Sequence, residues 1–509
     1  MSVTVGNIGL RVRSNLMAVS QTNLAWATLL NLGQEPGRLH DRLALALRTA
    51  IRDGRLREGA AVPPSRALAE ELGCSRWVVT EAYGQLVAEG YLAARVGSAT
   101  RVSWAPDIAP PPPHRPTSEP PPIRYDLGPG LPDLRAFPRR RWAEAVRSVT
   151  GEAVHYDLGL PDPTGHEVLR DTLAQYLRRA RGADPGSVFV CAGITDGLFR
   201  TCRALRARGI VDVAVEEPGW GRLRDAAASA ELRVHPVSVD HHGLRVDDLA
   251  RTPARAVVVG AAHQFPTGAV LSSDRRAGLV RWAREVDGYV IEDDYDAEFR
   301  YDHHPVAVMQ GMDPGRVFLL GSVSKTLSPA LGLGWLVAPG AMVPALREAN
   351  PVAAAPPVLD QLALAAFIDR GWYDAHLRAA RRRFRVRRDL LVRTLGDLLP
   401  EGRVAGTAAG LHILLHLPDA TDTSRAVRNA AAAGLSVSDL DDYRTERAPD
   451  RALVLGYGNI GDTEIPAAVT LLREVLRPGP TRAVRRPTTV PRGLGSGAGA
   501  REVLDVNGI

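Results

Sequence analysis

Lysine is all but missing from this chain of 509 residues: its basic residues number 63, and Lys325 is the one that is not arginine. Everywhere else a positive charge is supplied by guanidinium, which stays protonated and forms no carbonyl adduct under ordinary conditions. A lysine amine does form one once deprotonated, so a single exception invites a chemical explanation. Cysteine is scarce too, with Cys74, Cys191 and Cys202 as the whole set. Three thiols make neither a disulfide framework nor a metal quartet, and buried free thiols in a reducing cytoplasm are expected. No apolar run reaches the roughly 18 residues that a membrane span needs. The stretch Met1 to Gln34 lacks the basic-then-apolar pattern of a secretory signal. The histidines, including the pairs His241–His242 and His303–His304, show no metal-ligand spacing, and no metal is expected.

What the chain does contain is ordinary for a globular protein: 45% hydrophobic and 24% charged residues. A net charge of +6 with a pI near 9.4 permits nucleic acid as a partner without demonstrating one. Proline is concentrated in one place. The run PDIAPPPPHRPTSEPPPI, 106–123, can form neither a helix nor a central strand and reads as a semi-rigid polyproline spacer. It divides the chain into a small domain at 36–103, a linker at 104–123 and a large domain at 124–477. A large part at about 160–375 and a small part at about 376–477 make up the latter. The end, 478–509, is rich in Gly, Pro, Arg and Thr and is expected to be disordered.

In the small domain, Leu39, Leu43, Leu47, Ala50 and Ile51 recur at helical spacing, and Asp53-Gly54 stops that helix. Ser65 is placed to cap a second helix carrying Leu68, Ala69 and Leu72, ended by Gly73. Ser75 is placed to cap a third, Arg76 to about Glu89, with Val78, Val79, Ala82, Leu86 and Val87 facing in. Tyr91-Leu92 and Thr100–Val102 read as two short strands joined at Gly97-Ser98. Helix, tight turn, helix and hairpin describe a winged helix-turn-helix, although the same elements also build protein-interaction domains. On the DNA reading the third helix enters the major groove, with Arg76, Trp77, Thr80 and Gln85 outward. Arg66 stands at a helix start that favours a phosphate, and Arg95 lies near the wing.

Lys325 lies between two short apolar runs, Phe318–Leu320 and Trp335–Val337, that read as strands. A third strand at 288–291 leads into Glu292-Asp293-Asp294-Tyr295-Asp296, four acids that are costly there unless solvated or matched to a cation. Open α/β sheets bind ligands at the C-terminal ends of their strands. Val188–Val190 is followed by Gly193-Ile194 at a helix start, which offers unpaired N–H groups to a phosphate. Val213–Val215 leads to Trp220, either a core residue or an aromatic face at a strand end. A phosphate cradle, an aromatic face, a carboxylate and an amine together suit pyridoxal 5'-phosphate.

Two resemblances sharpen these readings. The run PPSRALAEELGCSRWVVTEAYGQLVAEGYLAARVGSATRV is similar to the winged-helix domain of the GntR family of bacterial transcription regulators. That likeness implies DNA contacts from Ser65, Arg66, Ser75, Arg76 and Thr80, with Gly97 and Ser98 at the wing tip. Trp77 and Ala99 depart from the family's usual small polar residue and Gly. From about Tyr125 to Pro478 the chain resembles a fold-type I aminotransferase, on EEPGW at 216–220, AHQFPTG at 262–268, IEDDYDAEFRY at 291–301 and SVSKTLSP at 322–329. The order of domains resembles the MocR subfamily of GntR regulators. The implied fold is an N-terminal winged helix-turn-helix, then an α/β fold-type I aminotransferase-like domain with a mostly parallel sheet and a smaller α+β C-terminal subdomain. The likeness implies that Lys325 forms the internal aldimine with pyridoxal 5'-phosphate. It further implies that Asp293 pairs with the pyridine nitrogen, that Tyr295 bonds the 3'-oxygen and that Trp220 stacks on the ring. Gly193, Ile194, Ser322 and Ser324 hold the phosphate. Arg222 is expected to hold a ligand carboxylate, and His263 to stand near the ring.

Two positions break the family pattern. Gly332 stands where an Arg usually meets the cofactor phosphate, and Val454 where an Arg usually clamps an amino-acid carboxylate. Without that clamp, efficient turnover of ordinary amino acids is not expected. The stretch Arg378 to Arg388, with seven Arg in eleven residues, reads first as a solvated helix joining the two parts, and otherwise as a second DNA contact. The leading expectation is a cytoplasmic, pyridoxal phosphate-binding regulator that meets an operator as a homodimer, head-to-tail by the subfamily likeness. Its effector is a small amine or amino acid, or the cofactor itself. The alternatives are a pyridoxal phosphate enzyme of unusual substrate or reaction with an appended DNA-binding domain, and a binding module that has lost the cofactor.

Overall fold

The computed structural model describes residues 26–30, 32, 37–95, 98–104, 122–301, 306–350, 355–406 and 408–477. Most of the linker, the C-terminal segment 478–509, the wing-tip Gly97 and His303–His304 lie outside them. The chain divides into two compact units, Met1–Glu119 and Pro120–Ile509.

In the first unit the helices Leu39–Arg52, Ser65–Glu71 and Arg76–Ala88 surround a core of Leu43, Leu47, Ile51, Leu68, Val79 and Leu86, all nearly fully buried. A short helix, Trp26–Leu29, precedes them, and Trp26 and Leu30 join the same core. The strands Leu92–Ala93 and Arg101–Val102 pair antiparallel as the hairpin. Ser75 caps the third helix, its side chain accepting from the Val78 N–H. Ser65 does not cap the second: Pro64 holds that place, and Ser65 is the first helical residue. Its hydroxyl instead accepts from Arg76 Nε at 3.2 Å, tying the two helix starts together. Leu39 and Val87, expected inside, are exposed because they fall at the edges of their helices' apolar stripes.

The second unit is built on an eight-stranded sheet. Its central strands Val317–Ser322, Tyr289–Asp294, Ala256–Val259, Asp212–Glu217 and Arg233–Asp240 run parallel. Gly334–Ala338 runs antiparallel between Val317–Ser322 and the edge strand Ser187–Cys191. Valines, leucines and isoleucines fill these strands, as a sheet covered on both faces requires. A smaller antiparallel sheet orders Arg403–Ala405, His412–Leu417, Arg451–Gly456 and Ser438–Asp439. Tyr125–Asp126, just after the linker, pairs with Leu435–Ser436 beside that small sheet. The cysteines are free, and Cys191 and Cys202 are buried. No helix among the described residues is long and apolar enough to cross a membrane.

Three of the four acids expected beyond the strand end, Glu292, Asp293 and Asp294, lie within it, and the fold matches two of them. Glu292 accepts from the Met309 and Gln310 N–H groups at 2.8 and 3.2 Å. Asp294 meets Arg181 in a two-pronged pair at 2.7 and 3.0 Å, with both side chains 2% exposed. The arginine-rich stretch lies in one long helix, Trp372–Leu398. Only part of it faces water: Arg383 and Arg387 turn inward to Asp133, and Arg387 also bonds the Gly458 carbonyl. Those arginines staple the small sheet's helix to the segment that follows the linker.

Candidate functional site

The ends of five strands of the large sheet face one cavity. The strand Ser187–Cys191 delivers Ala192, Gly193, Ile194 and Thr195; Asp212–Glu217 delivers Trp220 and Arg222; Ala256–Val259 delivers Phe265; Tyr289–Asp294 delivers Asp293, Tyr295 and Asp296; Val317–Ser322 delivers Ser322, Ser324 and Lys325. The cavity measures about 580 Å³, in the range of small-molecule sites. Its remaining wall comes from Pro129, Gly130 and Leu131 on one side and Leu411, His412 and Tyr443 on the other. The structure thus brings together every residue expected to touch a cofactor, from segments spread over more than a hundred positions.

Each wall has a physical reason. Gly193 opens the helix Ile194–Ala207, whose first N–H groups have no partner within the helix and carry its positive end. Gly334 must be bare for this turn to fit, since a Cβ there would lie 2.7 Å from Gly193 Cα. Asp293 is held within a strand, and its Oδ1 is buried without a hydrogen-bond partner. Burial, with Asp294 and Asp296 adding to it, pushes this carboxyl up to about 7, while Lys325 pulls it down. The Lys325 amine donates to the Gly130 carbonyl oxygen. Burial holds it below the usual lysine value, and Asp296 and then Asp293 oppose that shift.

His263 does not reach the cavity. It lies behind Tyr295, 2% exposed, with Nδ1 at 3.1 Å from the Tyr295 hydroxyl and at 3.0 and 3.2 Å from the Asp296 carboxylate. His412, far along the chain, stacks at 4.9 Å from the same ring. The fold therefore assembles a buried His263–Asp296–His412 set that no local spacing signals. His412 Nε2 lies 3.1 Å from the Pro266 carbonyl. Asp296, His412, Gly130 and Tyr443 were not singled out in the sequence. Only the acidic run around Asp296 offered a signal.

Glu216 is another buried carboxyl. Its Oε2 accepts from the Gly260 N–H at 3.0 Å, and Oε1 has no partner. Burial pushes it up to about 8 from an ordinary 4.5, with Asp293 adding to the rise. A carboxyl raised in the fold binds its proton more tightly folded than unfolded, so stability is lost as pH rises from about 4.5 to about 8. Glu216→Gln keeps an acceptor for Gly260 and needs no proton. It should be neutral near pH 4 and stabilise by on the order of 2–4 kcal/mol at pH 8, read from urea melts at both values. Equal melts at pH 8 would show that Glu216 is ionised in the fold.

In the first unit, Arg66, Ser75, Arg76, Trp77, Thr80, Arg95 and Ser98 are exposed, and Ser65 is half-buried against Arg76. Trp77, 61% exposed, meets the His40 ring edge-on at 5.2 Å.

Residues 39–102 match the family described as bacterial regulatory proteins, gntR family, and residues 128–438 match aminotransferase class I and II. The chain is 31% identical over 487 residues to the probable rhizopine catabolism regulatory protein MocR of Rhizobium meliloti, covering 89% of this chain and 98% of that protein. It is 32% identical over 434 residues to the pyridoxine biosynthesis transcriptional regulator PdxR of Corynebacterium glutamicum, covering 84% and 93%. Among solved structures, an archaeal alanine:glyoxylate aminotransferase superposes with a TM-score of 0.64 at 23% identity, over 69% of this chain and 90% of that one.

Proposed function

Because the chain belongs to the GntR family of bacterial regulatory proteins, in the MocR group that joins a winged helix-turn-helix to an aminotransferase-like domain, we propose that it is a pyridoxal 5'-phosphate-binding, ligand-responsive DNA-binding transcription regulator. The observation that carries this is the pairing of the chain's one lysine amine with a buried, unpartnered Asp293 oxygen across one cavity.

The residues fit the cofactor. A protonated pyridine nitrogen is the N–H donor that Asp293 Oδ1 lacks. The start of the helix Ile194–Ala207 and the hydroxyls of Ser322 and Ser324 suit a phosphate. Trp220 offers a flat face, and Tyr295 a hydroxyl. When bound, pyridoxal 5'-phosphate supplies an aldehyde for an amine to capture and a ring that withdraws electrons from the captured carbon. Lys325, partly desolvated, is the amine that captures it. Gly332 leaves the phosphate without the arginine usual at that place. The position has a φ of +57°, which an arginine could adopt only under strain.

Regulation rather than turnover is supported by Val454. It is fully buried with Leu414, Leu440 and Ala452, and Phe265 and Tyr443 pack over it. No carboxylate can be clamped there. Arg451 is engaged with Asp441, at 3.5 Å. Among the described residues, Arg222 is the one cation besides Lys325 that lines the cavity. We assign it a ligand's acidic group, with an amine, an amino acid or the cofactor itself as effector. A homodimer is supported by Val154, Tyr156, Leu158 and Leu160, which expose large apolar side chains along one segment; its head-to-tail orientation rests on the subfamily likeness alone. The intact set of Lys325, Asp293 and Tyr295 favours the second reading, an enzyme of unusual substrate or reaction.

The DNA face is assigned to Ser65, Arg66, Ser75, Arg76, Trp77 and Thr80, with Arg95 and Ser98 toward the wing. A gel shift on the protein's own upstream region, with and without pyridoxal 5'-phosphate, tests the function, and the expected result is a shift that the cofactor alters. Failure to bind any genomic fragment would overturn it. Arg76→Ala should weaken DNA binding by about 1–3 kcal/mol and leave cofactor capture unchanged. An equal affinity of the variant would remove Arg76 from the interface.

A further inference from the structure

Besides Asp293, a second carboxylate lines the cavity that holds the amine. Asp296 is 1% exposed, and it raises the Lys325 amine against the lowering by burial. A buried carboxylate survives only if hydrogen-bonded. Asp296 meets that need through His263, whose Nδ1 lies 3.0 and 3.2 Å from its two oxygens, and the phenol of Tyr295 meets the same nitrogen at 3.1 Å. One ring nitrogen cannot donate to the carboxylate and accept from the phenol together. The two short contacts to the Asp296 oxygens favour the His263 proton on Nδ1, toward Asp296. The Tyr295 hydroxyl oxygen, 3.1 Å away, then meets that N–H as an acceptor.

The fold fixes the ring in this position. Gly410, at a φ of +69°, passes so close that a Cβ would lie 2.0 Å from His263 Cε1 and 2.6 Å from Asp296 Oδ2. Lys325 and Asp293 line the same cavity as Asp296, Glu298 stands two residues along the chain, and the rings of Tyr295 and His412 pack against His263. Burial, with His263 adding to it, holds His412 well below the usual histidine value, so it brings no competing charge.

We propose that Asp296, oriented by His263, is a positioning residue of this site: it holds the Lys325 amine and the Tyr295 phenol in the states in which they meet an aldehyde. This rests on the cofactor reading above but does not need a bound cofactor to be tested. Because the chain has one lysine, an acetylating reagent marks Lys325 as its single side-chain amine. The pH dependence of that labelling in cofactor-free protein, read by mass spectrometry, gives the midpoint of the amine directly. Asp296→Asn, close in shape, removes a negative charge and should lower the midpoint by at least about one unit, making Lys325 roughly tenfold more reactive near neutrality. His263→Leu should move it in part, and His263→Asn, which keeps a donor near the Nδ1 position, should restore it. Unfolding of a variant is monitored by near-ultraviolet circular dichroism, and His263→Asn serves as the folded comparison. An unmoved midpoint in folded Asp296→Asn overturns the inference. If the midpoints move while wild-type protein takes up no pyridoxal 5'-phosphate, the cofactor reading fails and the positioning role stands.

Discussion

Lys325→Ala should yield a colourless protein that holds pyridoxal 5'-phosphate at least about 100-fold less firmly, a loss of roughly 2.7 kcal/mol or more. The reason lies in how little else grips the phosphate end. The lining there offers backbone N–H groups and the hydroxyls of Ser322 and Ser324, and Gly332 offers no side chain. A site of this kind depends on the amine more than one with a guanidinium at the phosphate, because neutral donors bind an anion less strongly than charged ones. Lys325→Arg makes the test sharper. It keeps the positive charge, cannot capture an aldehyde, and should be equally colourless. Visible absorption of both variants after gel filtration with the cofactor reads the outcome. A coloured Ala variant would mean that the site retains the cofactor without the Lys325 amine, and the assignment of Lys325 as its anchor would fall.

Arg181→Ala should cost about 3–5 kcal/mol of stability, the largest effect expected away from the cavity. Arg181 is 3% exposed and grips Asp294 with two hydrogen bonds. Glu292 and Glu298, both pushed up by burial and by Asp294, lie in the same dry cluster. Removing the guanidinium leaves Asp294 without its counter-charge beside two further acids. The double variant Arg181→Met with Asp294→Asn should recover most of the loss, because desolvating a charge costs far more than a neutral amide. Urea denaturation of the two variants checks this. Equal stability of Arg181→Ala and wild type would show that the acids are neutral without it.

The sequence read well where a short segment determines its own conformation. Ser75 caps its helix because a hydroxyl before a helix start needs only local geometry, and the apolar strands 188–190, 213–215 and 318–320 lie inside the observed ones. The residues that touch the cavity were legible for the same reason: Gly193, Trp220, Tyr295 and Lys325 each follow a buried strand directly. Misplaced residues were those decided by neighbours. Ser65 had the chemistry of a cap but lost the place to Pro64, while its hydroxyl was taken by Arg76. Arg383 and Arg387 looked solvated until Asp133, far back along the chain, came to meet them. The pairing of His263 with Asp296 and the packing of His412 against it depend on strands from different parts of the fold, and no periodicity encodes that.

The segment that follows the linker ties the small sheet to the cavity. Tyr125–Asp126 joins Leu435–Ser436, the Leu127 carbonyl accepts from the Gly456 N–H, and Gly130 reaches the Lys325 amine. Any ligand that engages that amine competes with the Gly130 carbonyl for it. The contest is over one charge-assisted hydrogen bond, on the order of 1.5–3 kcal/mol, which matches the coupling free energies of typical allosteric proteins. A ligand that displaced the Gly130 carbonyl would couple occupancy of the cavity to the position of the segment 125–130, and by reciprocity a shift of that segment would alter the affinity for the ligand by the same factor.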